Sequence, residues 1–245
     1  MDPVARAASP AYVPIIDREI GELFLKNADD PIRTHVMALV HEWWATAPQA
    51  AIDQYAANLR ELPGADAFLA ERYLPPLVTL EDLARCPEGS LGQAYRRWII
   101  DNGLEPNLTA KQHAYFFGLL ESGRLDRMPE DIRYAFVRGF MLHDFLHTIT
   151  GFGSDIAGEL GMAGFHHAQL RSNYHAMRIA VTTAHLAFVN PRHTASAMDA
   201  ISEGWLMGRR WKNIHFVRWE EQLERPLADI RAEYGAGSAG PSRAD

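Results

Sequence analysis

Residues 128–151, "MPEDIRYAFVRGFMLHDFLHTITG", constrain the fold more than any other stretch of this chain. Pro129 stands near the start, where a helix has no use for the N–H that proline lacks. Gly151 stands at the end, where the chain takes up the left-handed conformation that glycine adopts without strain. A helix of that length reaches about 30 Å, the width of a small domain, so the rest of the chain must be built to pack around it.

The same punctuation recurs elsewhere. In "DDPIRTHVMALVHEWW", Asp30 offers an N-cap and Pro31 the first helical residue, ahead of Ile32, Val36, Leu39 and Val40 at helical spacing. Ser90 caps a helix that Gly103 stops, with Leu91, Tyr95, Trp98 and Ile99 on one face. Thr109 precedes a further helix and Gly123 follows it. Alternating apolar and polar runs between turn pairs are missing, so no strand is predicted. The chain reads as all-α: a single compact multi-helix domain over residues 1–235, without internal repeats. "RELPGAD" and "CPEGS" are breaks between helices rather than linkers. The tail from Gly235 is small and polar, and residues 236–245 are expected to be disordered.

Composition narrows the function classes. The 245 residues are 47% hydrophobic and carry a net charge of -7, with a pI near 5.9. Such a chain is not built to coat a phosphate backbone, so no nucleic-acid partner is expected. The single cysteine, Cys86, excludes an internal disulfide framework and a thiolate cluster, and fits a reduced compartment. The start, "MDPVARAASPAYVPII", has no signal-peptide layout and makes a poor transit peptide. The longest uncharged apolar run, around residues 179–191, is too short to span a bilayer. The expected setting is therefore cytoplasmic, with no transmembrane helix.

Chemistry concentrates in "HDFLHTITGFGSDIAGE", residues 143–159. His143 and His147 are four apart, which puts both imidazoles on one helix face within reach of a single ion. Asp144 points roughly 100° away around the helix, as a side ligand, an orienter of a ligand water or an acid/base group. Two glycines break the helix, Ser154 offers a cap for the next one, and Glu159 lies about one turn into it. A returning helix brings Glu159 back to the histidine pair. Two imidazoles and one or two carboxylates suit Zn²⁺ with an open position or a non-haem Fe²⁺ site. Phe140, Leu142, Phe145, Leu146 and Phe152 surround the set, and in such surroundings an unpaired carboxylate is expensive. His166 and His167 follow closely enough to support the ligands from behind. His175, His185 and His215 lie in helical patterns without partner spacing and read as core or surface. His35 and His41, six apart, do not share a face.

The pattern H-D-x-x-H, eleven residues, then E resembles the signature of the Coq4 family of ubiquinone biosynthesis proteins. Here it is His143, Asp144, His147 and Glu159. "PEGSLGQAYRRWIIDNGLEP", residues 87–106, is similar to the family's segment ahead of the site. Residues 203–235, with Trp219, Glu220, Pro226 and Arg231, are similar to its C-terminal block. The resemblance is strongest over residues 70–235. The segment after Glu159, "LGMAGFHHAQLRSNYHAM", is more polar than the family pattern and lacks its Gln-Thr-Gly, as in a bacterial paralogue with a different substrate.

The resemblance implies one divalent metal, zinc first and iron or another redox-active ion if the protein is a catalyst, held by His143, Asp144, His147 and Glu159. It implies a polyprenylated quinone precursor as ligand and oxidative decarboxylation with hydroxylation at ring C1, with Asp144 moving protons. It also implies other quinone-biosynthesis proteins as partners, room for a homo-oligomer, and a position peripheral to the inner membrane in a bacterium. Arg171, Arg178, Arg209 and Arg210 are the basic residues available to lipid head groups. Two alternatives stand beside this. One is a non-catalytic scaffold or lipid carrier with a structural metal. The other is an HD-type phosphohydrolase, which would need His113 and either Asp155 or Asp199 and would leave His147 and Glu159 unexplained.

Overall fold

In the computed structural model, residues 18–31, 36–76, 78–104, 118, 121–123 and 125–235 are described. They form eleven α-helices and no strand. These are α1 (Arg18–Asp29), α2 (Val36–Thr46), α3 (Gln49–Arg60), α4 (Ala65–Glu71), α5 (Leu80–Ala84), α6 (Leu91–Asp101), α7 (Glu130–Thr150), α8 (Ile156–Leu170), α9 (Asn173–Val189), α10 (Thr194–Arg210) and α11 (Leu227–Gly235).

The boundaries follow local chemistry. Ser90 accepts the Gln93 N–H at 3.3 Å and starts α6. Gly103 and Gly151, at φ 64° and 88°, end α6 and α7 in the left-handed region. Asp30 closes α1, its N–H bonded to the Lys26 carbonyl at 3.0 Å. The expected helix start beyond it runs into residues 32–35, outside the described set. The helix expected after Thr109 lies largely outside it too, although its stop, Gly123, is described with φ 71°. The tail beyond Gly235 is likewise outside the described residues.

Two apolar clusters hold α7 between them. One gathers Leu39, Val40, Trp44, Ile52 and Ile132. The other gathers Leu142, Phe145, Leu146, Ile149, Phe165 and Trp219. Charge is used sparingly inside. Arg138 of α7 donates to both carboxylate oxygens of Glu220 at 2.9 and 3.2 Å, and the pair is almost completely buried. A paired guanidinium and carboxylate satisfy each other where either alone would be costly.

The tightest contact is between α8 and α10. A Cβ on Gly204 would lie 1.8 Å from the Gly161 carbonyl oxygen, and one on Gly208 would lie 2.7 Å from that of Phe165. Backbone meets backbone here, so no side chain can move aside. Replacing Gly204 with alanine must push the helices apart, an overpacking cost of about 3 kcal/mol. Urea denaturation should show the loss as a lower midpoint at unchanged slope. A change below about 0.5 kcal/mol, the range of a neutral surface substitution, would mean that the two helices do not meet this closely.

Candidate metal centre

α7 carries both histidines on its last two turns, with ring centroids 4.5 Å apart. α8 supplies the carboxylate. Its N-cap is Asp155, which accepts the Gly158 N–H at 2.7 Å, and not Ser154. The Ser154 hydroxyl instead bonds the Asn102 side chain. A carboxylate in the cap position also gains from the positive end of the helix dipole, which a hydroxyl does not. Gly158 lets the loop close, since a Cβ there would sit 2.1 Å from the Gly153 carbonyl oxygen. Glu159 follows at once and turns back toward α7.

Hydrogen bonds behind the imidazoles decide which nitrogen faces Glu159. His147 Nδ1 lies 3.0 Å from the Phe152 carbonyl oxygen, which can only accept, so Nδ1 carries a proton. His147 Nε2 is buried and makes no hydrogen bond; Glu159 Oε1 stands 3.4 Å away, too far for a charge-assisted bond of about 2.8 Å. His143 Nδ1 lies 3.1 Å from Asp144 Oδ1, leaving Nε2 at 3.8 Å from Glu159 Oε2. Two ring nitrogens thus converge on a carboxylate without a hydrogen bond between them. A cation resolves that arrangement. Tetrahedral Zn²⁺ with bonds of about 2.0–2.1 Å separates neighbouring ligand atoms by roughly 3.4 Å, close to the spacing found. The ligand atoms of His143, His147 and Glu159 all lie within 4.8 Å of one another, and no other such group occurs among the described residues.

The surroundings support the same reading. Arg178 of α9 donates to Glu159 Oε2 at 2.7 Å and orients the carboxylate. Burial alone would raise the Glu159 carboxyl. The Arg178 guanidinium beside it works against that and favours the ionised form. Trp98 stacks on the His147 ring at 5.1 Å. Asp144 is buried, with Oδ2 unpartnered. Two carboxylates against one guanidinium leave a negative excess that favours a bound cation.

A cavity of about 300 Å³ opens on this centre. Trp44, Tyr55, Phe68, Phe136, Phe140 and Phe216 form much of its wall, with His143, Glu159 and Arg178 at the polar end.

Of the four expected ligands the structure brings three together. Asp144 stands behind His143, outside the cavity lining. His166 lines the same cavity, its ring parallel to that of His143 at 5.9 Å and its Nδ1 bonded to His215. His167 turns away to the Ser172 carbonyl, and His185 bonds the Ala28 carbonyl. His175 and His215, read from sequence as core or surface, line the cavity, and His215 sits in a turn rather than a helix. Arg178, grouped by sequence with lipid-facing basic residues, is taken up by Glu159, while Arg171, Arg209 and Arg210 are exposed. The chain reversal at Arg171, a non-glycine residue at φ 52°, brings Arg178 back onto Glu159, and no sequence spacing encodes it. Of the phosphohydrolase set, His113 lies outside the described residues, Asp155 is a helix cap and Asp199 is exposed on α10.

Comparison with known proteins gives the family and the fold. The sequence profile of coenzyme Q (ubiquinone) biosynthesis protein Coq4 matches residues 25–239, further toward the start than the resemblance read from sequence. The mitochondrial ubiquinone biosynthesis protein coq4 of Talaromyces marneffei is 25% identical over 235 residues, covering 92% of this chain and 75% of its own. The mitochondrial COQ4 homologue of Danio rerio is 28% identical, covering 87% and 72%. A crystal structure of a candidate ubiquinone biosynthesis protein from Nostoc punctiforme superposes with a TM-score of 0.69 at 21% identity. The match covers 89% of this chain and 95% of that one, a likeness of fold. The chain belongs to the Coq4 family of coenzyme Q (ubiquinone) biosynthesis proteins.

Proposed function

We propose that the protein is a metal-dependent enzyme of ubiquinone biosynthesis that acts on a polyprenylated aromatic precursor, replacing the ring C1 carboxyl by a hydroxyl with loss of carbon dioxide, dioxygen supplying the hydroxyl oxygen and a two-electron reductant taking its second oxygen to water. The observation that carries this reading is the meeting of two bare imidazole nitrogens and an ionised carboxylate at the polar end of an aromatic-walled cavity. A structural ion is usually closed off by four protein ligands, whereas three ligands beside a cavity leave room for substrate. That difference favours catalysis over a scaffold with a structural metal.

His143, His147 and Glu159 would hold the ion, which supplies Lewis acidity and, if it is iron or another redox-active metal, electron transfer to dioxygen. The protein's own residues do the rest. Phe152 and Asp144 hold the two imidazoles in the ligating tautomer. Arg178 fixes Glu159 and presents a cation where a substrate carboxylate would enter. The aromatic wall takes the ring and the start of the prenyl chain and excludes water. Asp144 acts through His143, as a positioning residue. Zinc is the ion the ligand set suits first, and oxidation would then need a redox-active ion in its place.

No helix among the described residues is long and apolar enough to cross a membrane. A prenylated substrate still has to be taken from lipid, so the reading includes reversible contact with a membrane surface and with neighbouring enzymes of the pathway. Exposed Phe188 and Val189 on α9, and Trp205 and Leu206 beside Arg209 and Arg210 on α10, are suited to it. Co-flotation with vesicles containing anionic lipid should be visible and should weaken with salt. Absence from the lipid fraction at every composition would remove the membrane from the reading.

Elemental analysis should find one divalent ion per chain, and His147→Ala should lose most of it. Full occupancy in that variant would sink the assignment. Asp144→Asn keeps the shape but removes the charge behind His143, so metal affinity should fall about 10–100-fold without being abolished. Cells that depend on this variant should make less quinone and accumulate prenylated precursor that keeps its ring carboxyl. Normal quinone with normal metal would give Asp144 no role, and normal quinone from a metal-free His147→Ala protein would return the scaffold reading.

A further inference from the structure

Three histidines outside the metal triad form a second array on the same cavity. His166 on α8, His175 on α9 and His215 in the turn after α10 all line it. His166 and His215 are buried. The His166 and His175 rings stack at 4.4 Å with planes 19° apart, a geometry in which in-plane nitrogens cannot bond each other. These three do not close on one point as the metal triad does, so they call for a different ligand.

The hydrogen bonds show where each proton sits. Gln169 Nε2 donates to the carbonyls of Lys212 at 3.0 Å and Gly208 at 3.4 Å. Gln169 Oε1 accepts the Ile214 N–H at 3.1 Å. Carbonyl oxygens only accept and N–H groups only donate, so this amide has one orientation. His215 Nδ1, 3.0 Å from Gln169 Oε1, therefore carries a proton. In a neutral ring His215 Nε2 is then a bare acceptor. His166 Nδ1 lies 2.5 Å from it and must be the donor. A neutral His166 is left with a lone pair on Nε2, which is buried and has no partner. Neutrality follows from the setting. Neither ring is bonded to a carboxylate among the described residues, and two imidazoles sharing one proton in a buried site do not take up a second. Burial keeps His215 at about 3.

Resting on the reading of this cavity as the site of an aromatic precursor, we propose that His166 Nε2 is a specificity-determining acceptor for a hydroxyl on the ligand's ring, held in that tautomer by the Gln169–His215 chain. A buried acceptor without a partner is unfavourable, and a ligand hydroxyl restores the missing bond. An ether oxygen or an anionic oxygen at the same point would set lone pair against lone pair. The parallel His143 ring, 5.9 Å away, places the His166 ring at the metal end of the cavity.

The test uses zinc-loaded protein and two probes, ortho-geranylphenol and its methyl ether, with binding followed by tryptophan fluorescence, since Trp44 lines the cavity. The phenol should bind about tenfold tighter or more, the order expected for an unmade bond at a buried acceptor. His166→Phe should bring the two within about twofold while keeping affinity for the ether. Equal binding of both probes to the unaltered protein overturns the proposal and leaves the aromatic-cavity reading standing. Binding of neither overturns that reading and the proposal with it. Two-bond proton–nitrogen correlation spectra of the unaltered protein need no variant to fold. They should show His166 protonated on Nδ1, with the Nε2 resonance moving when the phenol is added. A proton on Nε2 instead overturns the proposal.

Discussion

The bond on which the site depends is the one from His147 Nδ1–H to the Phe152 carbonyl, at 3.0 Å. It acts at three levels. It fixes the tautomer of a fully buried ring, which leaves Nε2 bare. It ties the last turn of α7 to the loop beyond Gly151, so that the loop cannot drift from the helix that precedes it. By fixing the loop, it fixes where α8 begins, and Glu159 lies in the first turn of α8. In the proposed site, a side chain that would ligate with one nitrogen and braces its own loop with the other couples metal geometry to backbone geometry. The cost is a buried Nε2 that makes no hydrogen bond among the described residues.

How much of this was legible depends on the distance over which each feature is encoded. The His143–His147 face follows from helical periodicity, and the return of Glu159 follows from a short break with two glycines, so both could be read locally. The Ser90 cap and the Gly103 and Gly151 stops are local too, and the structure has them where the residues suggest. Ser154 shows the limit of local reading. Serine and aspartate stood side by side, both competent caps, and the choice was settled by Asn102, fifty-two residues earlier in the chain, which takes the serine hydroxyl. Arg178, His175 and His215 were not legible. Each reaches the cavity only because α9 folds back over α8 and because α10 lies against α8 through glycine. That approach is set by the absence of Cβ atoms at Gly161, Gly204 and Gly208, and nothing in the spacing of the histidines announces it.

The C-terminal stretch shows what a family-like block does when it supplies none of the three candidate ligands. Arg231 donates to the carbonyls of Ile149 at 2.9 Å and Thr148 at 3.0 Å, satisfying acceptors that the end of α7 leaves open. It also places a cation at the negative end of that helix. Glu220 grips the middle of α7 through Arg138, and Trp219, fully buried, donates its indole N–H to the Ile214 carbonyl at 2.8 Å. The block therefore splints the ligand-bearing helix at two points. Through Ile214 it also sets the turn that carries His215 into the cavity. The two histidines on α7 and His215 of the cavity array thus share one support, so a change in the block that loosens α7 should disturb the proposed metal and ring sites together.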